Sequence, residues 1–315
     1  MMITRTHLAL LGLVALTLAA MALPFLLDGY WLRLATTIAM FAIVTCGLNV
    51  IVGFAGYHAF GNTVFFGCGA YALSIAMNAG WSFSASLPLA LLAPMLLAGL
   101  LGWPLLRLKG HYFAIATVAL NLAFAELVTQ AGGFTGGANG IALPLSDLAP
   151  QIAYRRIYWM MVAVLAVCIA VTWWLSRHWL GTALRALKDN ESGAEVMGID
   201  TVSAKILAWM ISAAMTGLAG GIWAYWITFI EPSSAFDPLI GVKAYIMMLI
   251  GGMGTIAGPL IGALLLELFG ALIWAQFLDL HRLLLGCLIV ATALALPGGI
   301  VPLVRRALRP ARPAR

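Results

Sequence analysis

Gly181-Thr-Ala-Leu-Arg-Ala-Leu-Lys-Asp-Asn-Glu-Ser-Gly-Ala-Glu-Val-Met-Gly-Ile-Asp200 is a polar island in a chain of which only 9% of the residues are charged and whose mean hydropathy is +1.02. The island carries Arg185, Lys188, Asp189, Glu191, Glu195 and Asp200. Such a run cannot lie in lipid, because each charge taken into the bilayer costs several kcal/mol. Apolar runs long enough to span a membrane flank it, at 157–174 and 206–230. The fold class follows from this contrast: an all-α, polytopic integral membrane protein with a helix-prone polar loop that a soluble partner can grip.

A hydrophobic content of 63% over 315 residues exceeds what a soluble core requires. Residues 1–315 read as one transmembrane domain, with a candidate coupling loop at about 178–205 and a basic tail at 304–315. Stretches between the apolar runs are too short to build an independent core. Apolar runs near 8–27, 31–52, 59–78, 86–106, 112–131, 157–176, 206–230, 239–252, 257–276 and 283–303 predict about ten membrane segments, the third and eighth of them interrupted or short. Arg5 ahead of the first run, with Ala20-Met21-Ala22 after it, poses the question of a signal peptide. The run is longer than such peptides carry, and it reads as a retained first span.

Basic residues set the orientation. With a cytoplasmic N-terminus, Arg5, Arg107, Lys109, Arg177, Arg185, Lys188, Lys205 and the tail residues Arg305, Arg306, Arg309, Arg312 and Arg315 all fall inside, most of the 17 Lys and Arg. Both termini and the polar island are then cytoplasmic, and the Gly132–Gly140 stretch is external. The net charge of +6 is thus a topology signal and no nucleic-acid footprint. Cys46, Cys68, Cys168 and Cys287 sit in apolar runs without Cys-x-x-Cys spacing, so neither a disulfide nor a metal role is implied. No cofactor is implied either. Gly251–Gly258 lacks the Gly-Lys-Ser/Thr ending of a nucleotide loop, so ATP chemistry, if used, belongs to another subunit. The five histidines lie far apart, which excludes a clustered intramembrane active site.

Small residues recur at four-residue spacing, Ala213, Gly217 and Gly221 in one run and Gly254, Gly258 and Gly262 in another. That spacing lets helix backbones approach closely. Glycines at both 52–61 and 251–262 mark two span junctions, too little to establish a duplication.

Four stretches in series resemble the permease subunits of branched-chain amino acid ABC importers, most closely the M-type of the two permeases in the leucine–isoleucine–valine system. They are Gly47-Leu-Asn-Val-Ile-Val-Gly-Phe-Ala-Gly56 with Val64-Phe-Phe-Gly-Cys-Gly-Ala-Tyr71; Leu106-Arg-Leu-Lys-Gly110 through Glu126 to Thr135-Gly-Gly-Ala-Asn-Gly140; Leu184-Arg-Ala-Leu-Lys-Asp-Asn190 with Glu195-Val-Met-Gly-Ile199 and Ser212-Ala-Ala-Met-Thr-Gly-Leu-Ala-Gly220; and Gly251-Gly-Met-Gly254 with Gly258-Pro-Leu-Ile-Gly262 and Leu296-Pro-Gly-Gly299. The resemblance implies a type II ABC-importer-like permease of the bacterial inner membrane. Its implied partners are a second homologous permease, two cytoplasmic ATP-binding subunits and an extracytoplasmic solute-binding protein, in membrane lipid and without nucleic acid. It gives the island the role of a coupling helix, with Arg185, Lys188, Asp189, Asn190, Glu191, Ala194, Glu195 and Gly198 as candidate contacts to the ATPase. The chain departs from the family at Ala59, where serine is usual, and at Asn62, where His or Gln is usual. If that segment lines the pathway, the substrate class widens from branched-chain amino acids to related amino acids, small amides or urea.

Candidate pathway residues are polar groups in or beside the spans: His58, Asn62, Asn121, Glu126, Gln130, Thr135, Asn139, Lys243 and Glu267. Glu126, Thr129 and Gln130 share one helix face, and Thr117 and Asn121 share another. Lys243 is expected to pair with Glu126 or Glu267, which either fixes helix packing or serves transport. The 135–140 loop reads either as a substrate-facing backbone or as a tight turn. The rival class is a secondary transporter coupled to protons or sodium through these acids.

Overall fold

The computed structural model describes residues 20–25, 29–108, 110–144, 149–276, 286 and 299–307. Most of the first and last of the ten expected segments, and residues 308–315 of the basic tail, lie outside the described residues. Among the described residues the regular structure is helical apart from one two-stranded ribbon. In order, the helices are α1 (Gly29–Leu48), α2 (Thr63–Asn78), α3 (Phe83–Leu105), α4 (His111–Gln130), α5 (Pro150–Arg177), α6 (Trp179–Asp189), α7 (Glu191–Val196), α8 (Thr201–Ile227), α9 (Pro238–Gly251), α10 (Gly258–Gln276) and α11 (Ile300–Ala307). Single helical turns at Gly132–Thr135 and Pro232–Ala235, and strands β1 (Ile141–Ala142) and β2 (Phe229–Ile230), fill the connections.

Six of the described helical stretches are long and apolar enough to cross a membrane: Gly29–Phe54, Phe83–Leu105, His111–Gln130, Gln151–Arg177, Thr201–Ile227 and Pro232–Gly251. The protein is a multi-pass membrane protein. The short third run appears as α2, 16 residues or about 24 Å at the helical rise.

Local chemistry sets the boundaries. Ser82, Asn190 and Asp200 cap α3, α7 and α8 by accepting from the amides of Ala85, Gly193 and Ser203. Pro150 and Pro238 occupy first-turn positions where no amide is needed. α1 does not stop at Leu48 but runs on as a π-helix through Asn49–Phe54 before the chain leaves helical geometry. Such wide turns concentrate at functional sites.

α8 is the central post, packed against α2, α3 and α1. The small-residue spacing seen in the sequence explains how: a Cβ on Gly69 would lie 2.6 Å from Gly217 Cα, and one on Gly217 would lie 2.5 Å from Ala90 O and against the Pro94 ring. The second small-residue series works the same way, Gly258 and Gly262 meeting the backbone at Gly251 and Met247 where α10 folds back along α9.

The two ends of the bundle differ. At one, Asn78 Nδ2 donates to Ala142 O at 3.1 Å, Leu143 N donates to Thr228 O at 2.8 Å, and β1 pairs antiparallel with β2. At the other lie the π-helix, the 55–62 break, Leu106 and the α6–α7 island. The 132–140 loop and the island are therefore at opposite ends, as the charge distribution requires.

Candidate functional site

α6 is strongly amphipathic: Leu180, Ala183, Leu184 and Leu187 are buried, while Thr182, Arg185 and Asp189 face outward. That apolar stripe seats the helix on the membrane bundle and fixes where the island's charges point. Lys188 reaches back, and its Nζ donates to Gly53 O at 2.9 Å, satisfying a carbonyl of the π-helix. Arg185 Nη2 donates to Ser176 O at 2.9 Å, at the C-terminal end of α5, where helix polarity favours a cation.

Lys205, counted in the sequence only as a topological charge, forms the centre of the site. It lies one turn into α8, and its Nζ donates to Glu191 Oε1 at 2.7 Å, to Tyr57 Oη at 3.1 Å and to Leu106 O at 3.4 Å. Tyr57 in turn donates its hydroxyl to Glu191 Oε2 at 2.8 Å. The lysine side chain is 3% exposed and that of Glu191 19%, so the pair is largely desolvated. Burial, with the hydrogen bond and charge of Glu191 behind it, pushes the Tyr57 phenol well above its ordinary pKa, so it stays a protonated donor. One network thus joins the island, the start of α8, the end of α3 and the broken helix. A cavity of about 140 Å³, bordered by Gly56, Tyr57, His58, Lys188 and Glu191, lies between the island and the break.

The second junction is drawn into the same place. Asn49, fully buried in the π-helix, donates Nδ2 to Thr255 O at 2.9 Å and accepts from Gly254 N at 2.8 Å. A Cβ on Gly53 would lie 2.7 Å from Gly254 N. The two glycine-bearing junctions noticed in the sequence therefore touch.

The candidate coupling residues divide sharply. Asp189, Asn190, Glu195 and Gly198 are exposed, Asn190 serving as the α7 cap. Ala194, expected to offer a small surface for close docking, is instead 4% exposed and packs against the protein's own core. Lys188, which is exposed, and Glu191, which is half-buried, also carry bonds to the membrane bundle. The apolar stripe seats α6 on the bundle, and Ala194 of the following α7 is buried beside it.

The candidate pathway residues fall in separate places. His58 is exposed beside the island, its Nδ1 3.0 Å from Gly56 O and its ring 6.1 Å from that of Tyr245. Asn62 is buried at the start of α2, where Nδ2 donates to Ser212 Oγ and Thr216 Oγ1, both at 3.1 Å. Asn121 is buried in α4 and donates to Phe236 O at 2.8 Å. Asn62 Oδ1, Thr63 Oγ1 and Asn121 Oδ1 are buried without a hydrogen-bond partner, which in a native interior asks for an explanation. Glu126 is exposed and accepts from its neighbour Gln130 at 2.7 Å. Thr135 Oγ1 bonds Val128 O and Ala131 O, so it closes a tight turn. Asn139 is exposed in that loop, where Gly136, Gly137 and Gly140 hold left-handed φ.

Lys243 Nζ lies 3.7 Å from Glu267 Oε1, so of the two expected partners it is Glu267 that the fold supplies. The lysine side chain is half exposed, which limits the worth of the pair to about 1 kcal/mol. A double-mutant cycle of Lys243→Met and Glu267→Gln, read as folded yield, is expected to show coupling of that size. The same cycle with Glu126→Gln is expected to be additive. Equal coupling to both acids would contradict the geometry.

Three residues central to these contacts, Tyr57, Lys205 and Asn49, were not singled out from the sequence. A lysine one turn inside an otherwise apolar helix is the signal that marked Lys205. Tyr57 and Asn49 carried none, since their partners are distant in the chain.

Comparison with known proteins bears on all of this. A family model described as branched-chain amino acid transport system / permease component matches residues 30–293. The high-affinity branched-chain amino acid transport system permease protein LivM of Escherichia coli (strain K12) is 32% identical over 95% of this chain and 76% of its own length. LivH of the same organism, named as a permease protein of the same system, is 23% identical over 83% of this chain and 91% of its own length. The autoinducer 2 import system permease protein LsrC of Yersinia pestis is 30% identical over 62% of this chain and 56% of its own length. No solved structure matches the chain.

Proposed function

Because the chain belongs to the branched-chain amino acid transport permease family, we propose that it is one of a pair of permease subunits in an ATP-driven importer of the bacterial inner membrane. Two cytoplasmic ATP-binding subunits and an extracytoplasmic solute-binding protein complete the assembly. The relatives are permeases, so the chain carries no catalytic chemistry of its own, and its substrate class is branched-chain or related amino acids. The N-terminus, the C-terminus and the island face the cytoplasm.

The observation that carries this reading is the bond between island and membrane core. A self-sufficient carrier has no use for a polar helix pair outside the bilayer tied through Lys205, Glu191 and Tyr57 to a broken helix. A subunit that receives work from a soluble motor has need of one. The rival secondary transporter finds no support in the relatives, and the acids it would use are engaged, Glu267 by Lys243 and Glu126 by Gln130.

The solute path we propose runs along the buried polar groups Asn62, Thr63, Asn121, Ser212 and Thr216 on α2, α4 and α8. The unpartnered oxygens there suit a seam that opens to water or a polar solute when the helices part. His58, at the island end, and the Thr135–Asn139 loop, at the other, flank its two mouths.

The test is reconstitution. The purified chain alone is expected to hydrolyse no ATP, whereas the full complex in vesicles, given binding protein and amino acid, is expected to hydrolyse ATP and accumulate solute. Solute accumulation by this chain alone, driven by a proton or sodium gradient, would overturn the assignment.

A further inference from the structure

α1 runs toward the π-helix and α5 toward the island, so the first turns of both lie at the far end of the bundle from the island. Arg33 and Arg155, each in the second turn of its helix, line one cavity there, of about 530 Å³. Tyr30, Gln151 and Tyr154 line it with them. Both arginines are exposed, and they are among the few basic residues that the cytoplasmic count leaves out.

Each guanidinium is held against a ring. Arg33 Nη2 donates to Tyr154 Oη at 2.9 Å, and its head lies 4.9 Å from the centre of that ring. Arg155 lies 5.4 Å from the centre of the Phe25 ring. Neither meets a carboxylate among the described residues. Ring contacts orient a guanidinium while engaging few of its five N–H donors. The remaining donors suit the oxygens of a phosphate, which arginine grips in bidentate fashion. Gly29 and Gln151, in the first turns of α1 and α5, border the same cavity, so two positive helix ends add to the two cations.

The surface beside the charges is apolar. Trp159 follows Arg155 by one turn on the same face of α5, deeper in the span that runs over Gln151–Arg177. Its ring lies 6.1 Å from that of Phe25, and both are exposed. Tyr30 and Trp31, also exposed, stand at the start of α1, as aromatic side chains do where a span meets the headgroups.

We infer that this cavity binds the phosphodiester headgroup of an anionic phospholipid, with Arg33 and Arg155 on the phosphate and the Phe25–Trp159 strip against the acyl chains. Basic pockets between membrane helices are a recurrent form of headgroup site. An acidic protein segment would satisfy the arginines but would leave the apolar strip, one turn further into the span, uncovered. Leu32, Tyr158 and Val162 form a small core of their own between α1 and α5. A phosphate held by one arginine from each helix closes a polar clamp beside that core. Such recognition depends on the membrane-spanning fold alone and not on transport.

The test uses the full chain, delipidated in a neutral detergent. Phosphatidylglycerol is expected to raise its melting temperature, and native mass spectrometry to show one saturable adduct; phosphatidylcholine at the same mole fraction should do neither. Arg33→Gln with Arg155→Gln is expected to weaken phosphatidylglycerol binding about ten-fold or more. Arg156→Gln removes a charge from the same turn but does not line the cavity, and it should bind as the parent does. Size-exclusion and circular dichroism of the lipid-free double variant control for folding. Should that variant not fold, the comparison of the two lipids on the wild-type chain decides alone, and equal binding of both overturns the site. Unchanged phosphatidylglycerol binding by a folded double variant overturns it too. Glycerol 3-phosphate binding as tightly as the whole lipid would make this a site for soluble phosphate. A glutamate-rich peptide binding more tightly than the lipid would assign it to an acidic protein. Either result overturns lipid recognition.

Discussion

Lys205→Met is expected to destabilise the purified permease by about 3 kcal/mol, the lower part of the range for breaking a buried ion pair. The size follows from what is left behind. Glu191 loses the cation 2.7 Å from its carboxylate, in a setting where its side chain is 19% exposed, while Tyr57 still donates to it. Glu191→Gln alone strands the lysine in a similar way. The double variant, Lys205→Met with Glu191→Gln, removes both charges and is expected to recover most of the loss. Tyr57→Phe deletes one hydrogen bond to each ion and is expected to cost about 2 kcal/mol. Thermal unfolding in detergent reads all four. Strict additivity of the two single changes would show that the ions do not act as a pair. Transport carries a second reading: in the double variant the fold returns while the ionic tie between island and α8 does not, with Lys188 still holding Gly53 O, so ATP hydrolysis with lowered uptake is the expected phenotype.

The other large effect belongs to the central post. Gly217→Leu is expected to abolish folded yield, with a cost of at least about 3 kcal/mol, at the upper end of overpacking. Its Cβ would fall 2.5 Å from Ala90 O and against the Pro94 ring, and α2 closes the other side through Gly69. Those neighbours are backbone and a rigid ring, which cannot swing aside as a flexible side chain would. Gly270→Leu in α10 is the control, because nothing lies within 4 Å of a Cβ there. It should insert and fold as the parent does. Size-exclusion profiles and folded yield separate the two outcomes, and a well-folded Gly217→Leu would refute the close approach of α8 to α3.

Much of this was legible in the sequence because it depends on spacing along one helix. The Ala213, Gly217 and Gly221 series announced a close contact, and the closeness is where the fold places it. The charge density of 181–200 marked it as a polar segment between apolar runs, whereas its buried face of Leu180, Leu184 and Leu187 was read only from the structure. The basic residues put the island and the 132–140 loop on opposite sides, and the two do lie at opposite ends of the bundle.

What was not legible depends on distance in the chain. Asn49 meets Thr255 across 206 positions, and no local pattern encodes that pairing. Glu191 was assigned to a partner's surface because a charged residue in a polar loop looks solvated. Its bond to Lys205, 14 residues on, lies behind a turn whose direction only the folded chain shows. The candidate pathway residues were chosen for being polar in apolar surroundings, a criterion that cannot tell Asn62, buried between helices, from Glu126, exposed at a helix end. Of the ten expected segments, six described stretches meet the length of a span; the first and last lie mostly outside the described residues, and in α2 a break replaces part of the crossing.

The β1–β2 ribbon and the Lys205 network close opposite ends of the same bundle with different materials. At the ribbon end the closure is main chain on main chain, Ile141 on Ile230 and Leu143 on Thr228. Such bonds are indifferent to ionic strength and cannot be traded for others by a rotamer change. At the island end the closure is made by long side chains carrying opposite charges, which can be exchanged, hydrated or pulled apart one at a time. On the proposed function, motion applied at the island would pivot about the ribbon, and the proposed path along Asn62, Asn121 and Ser212 would widen first at the island's end of the bundle.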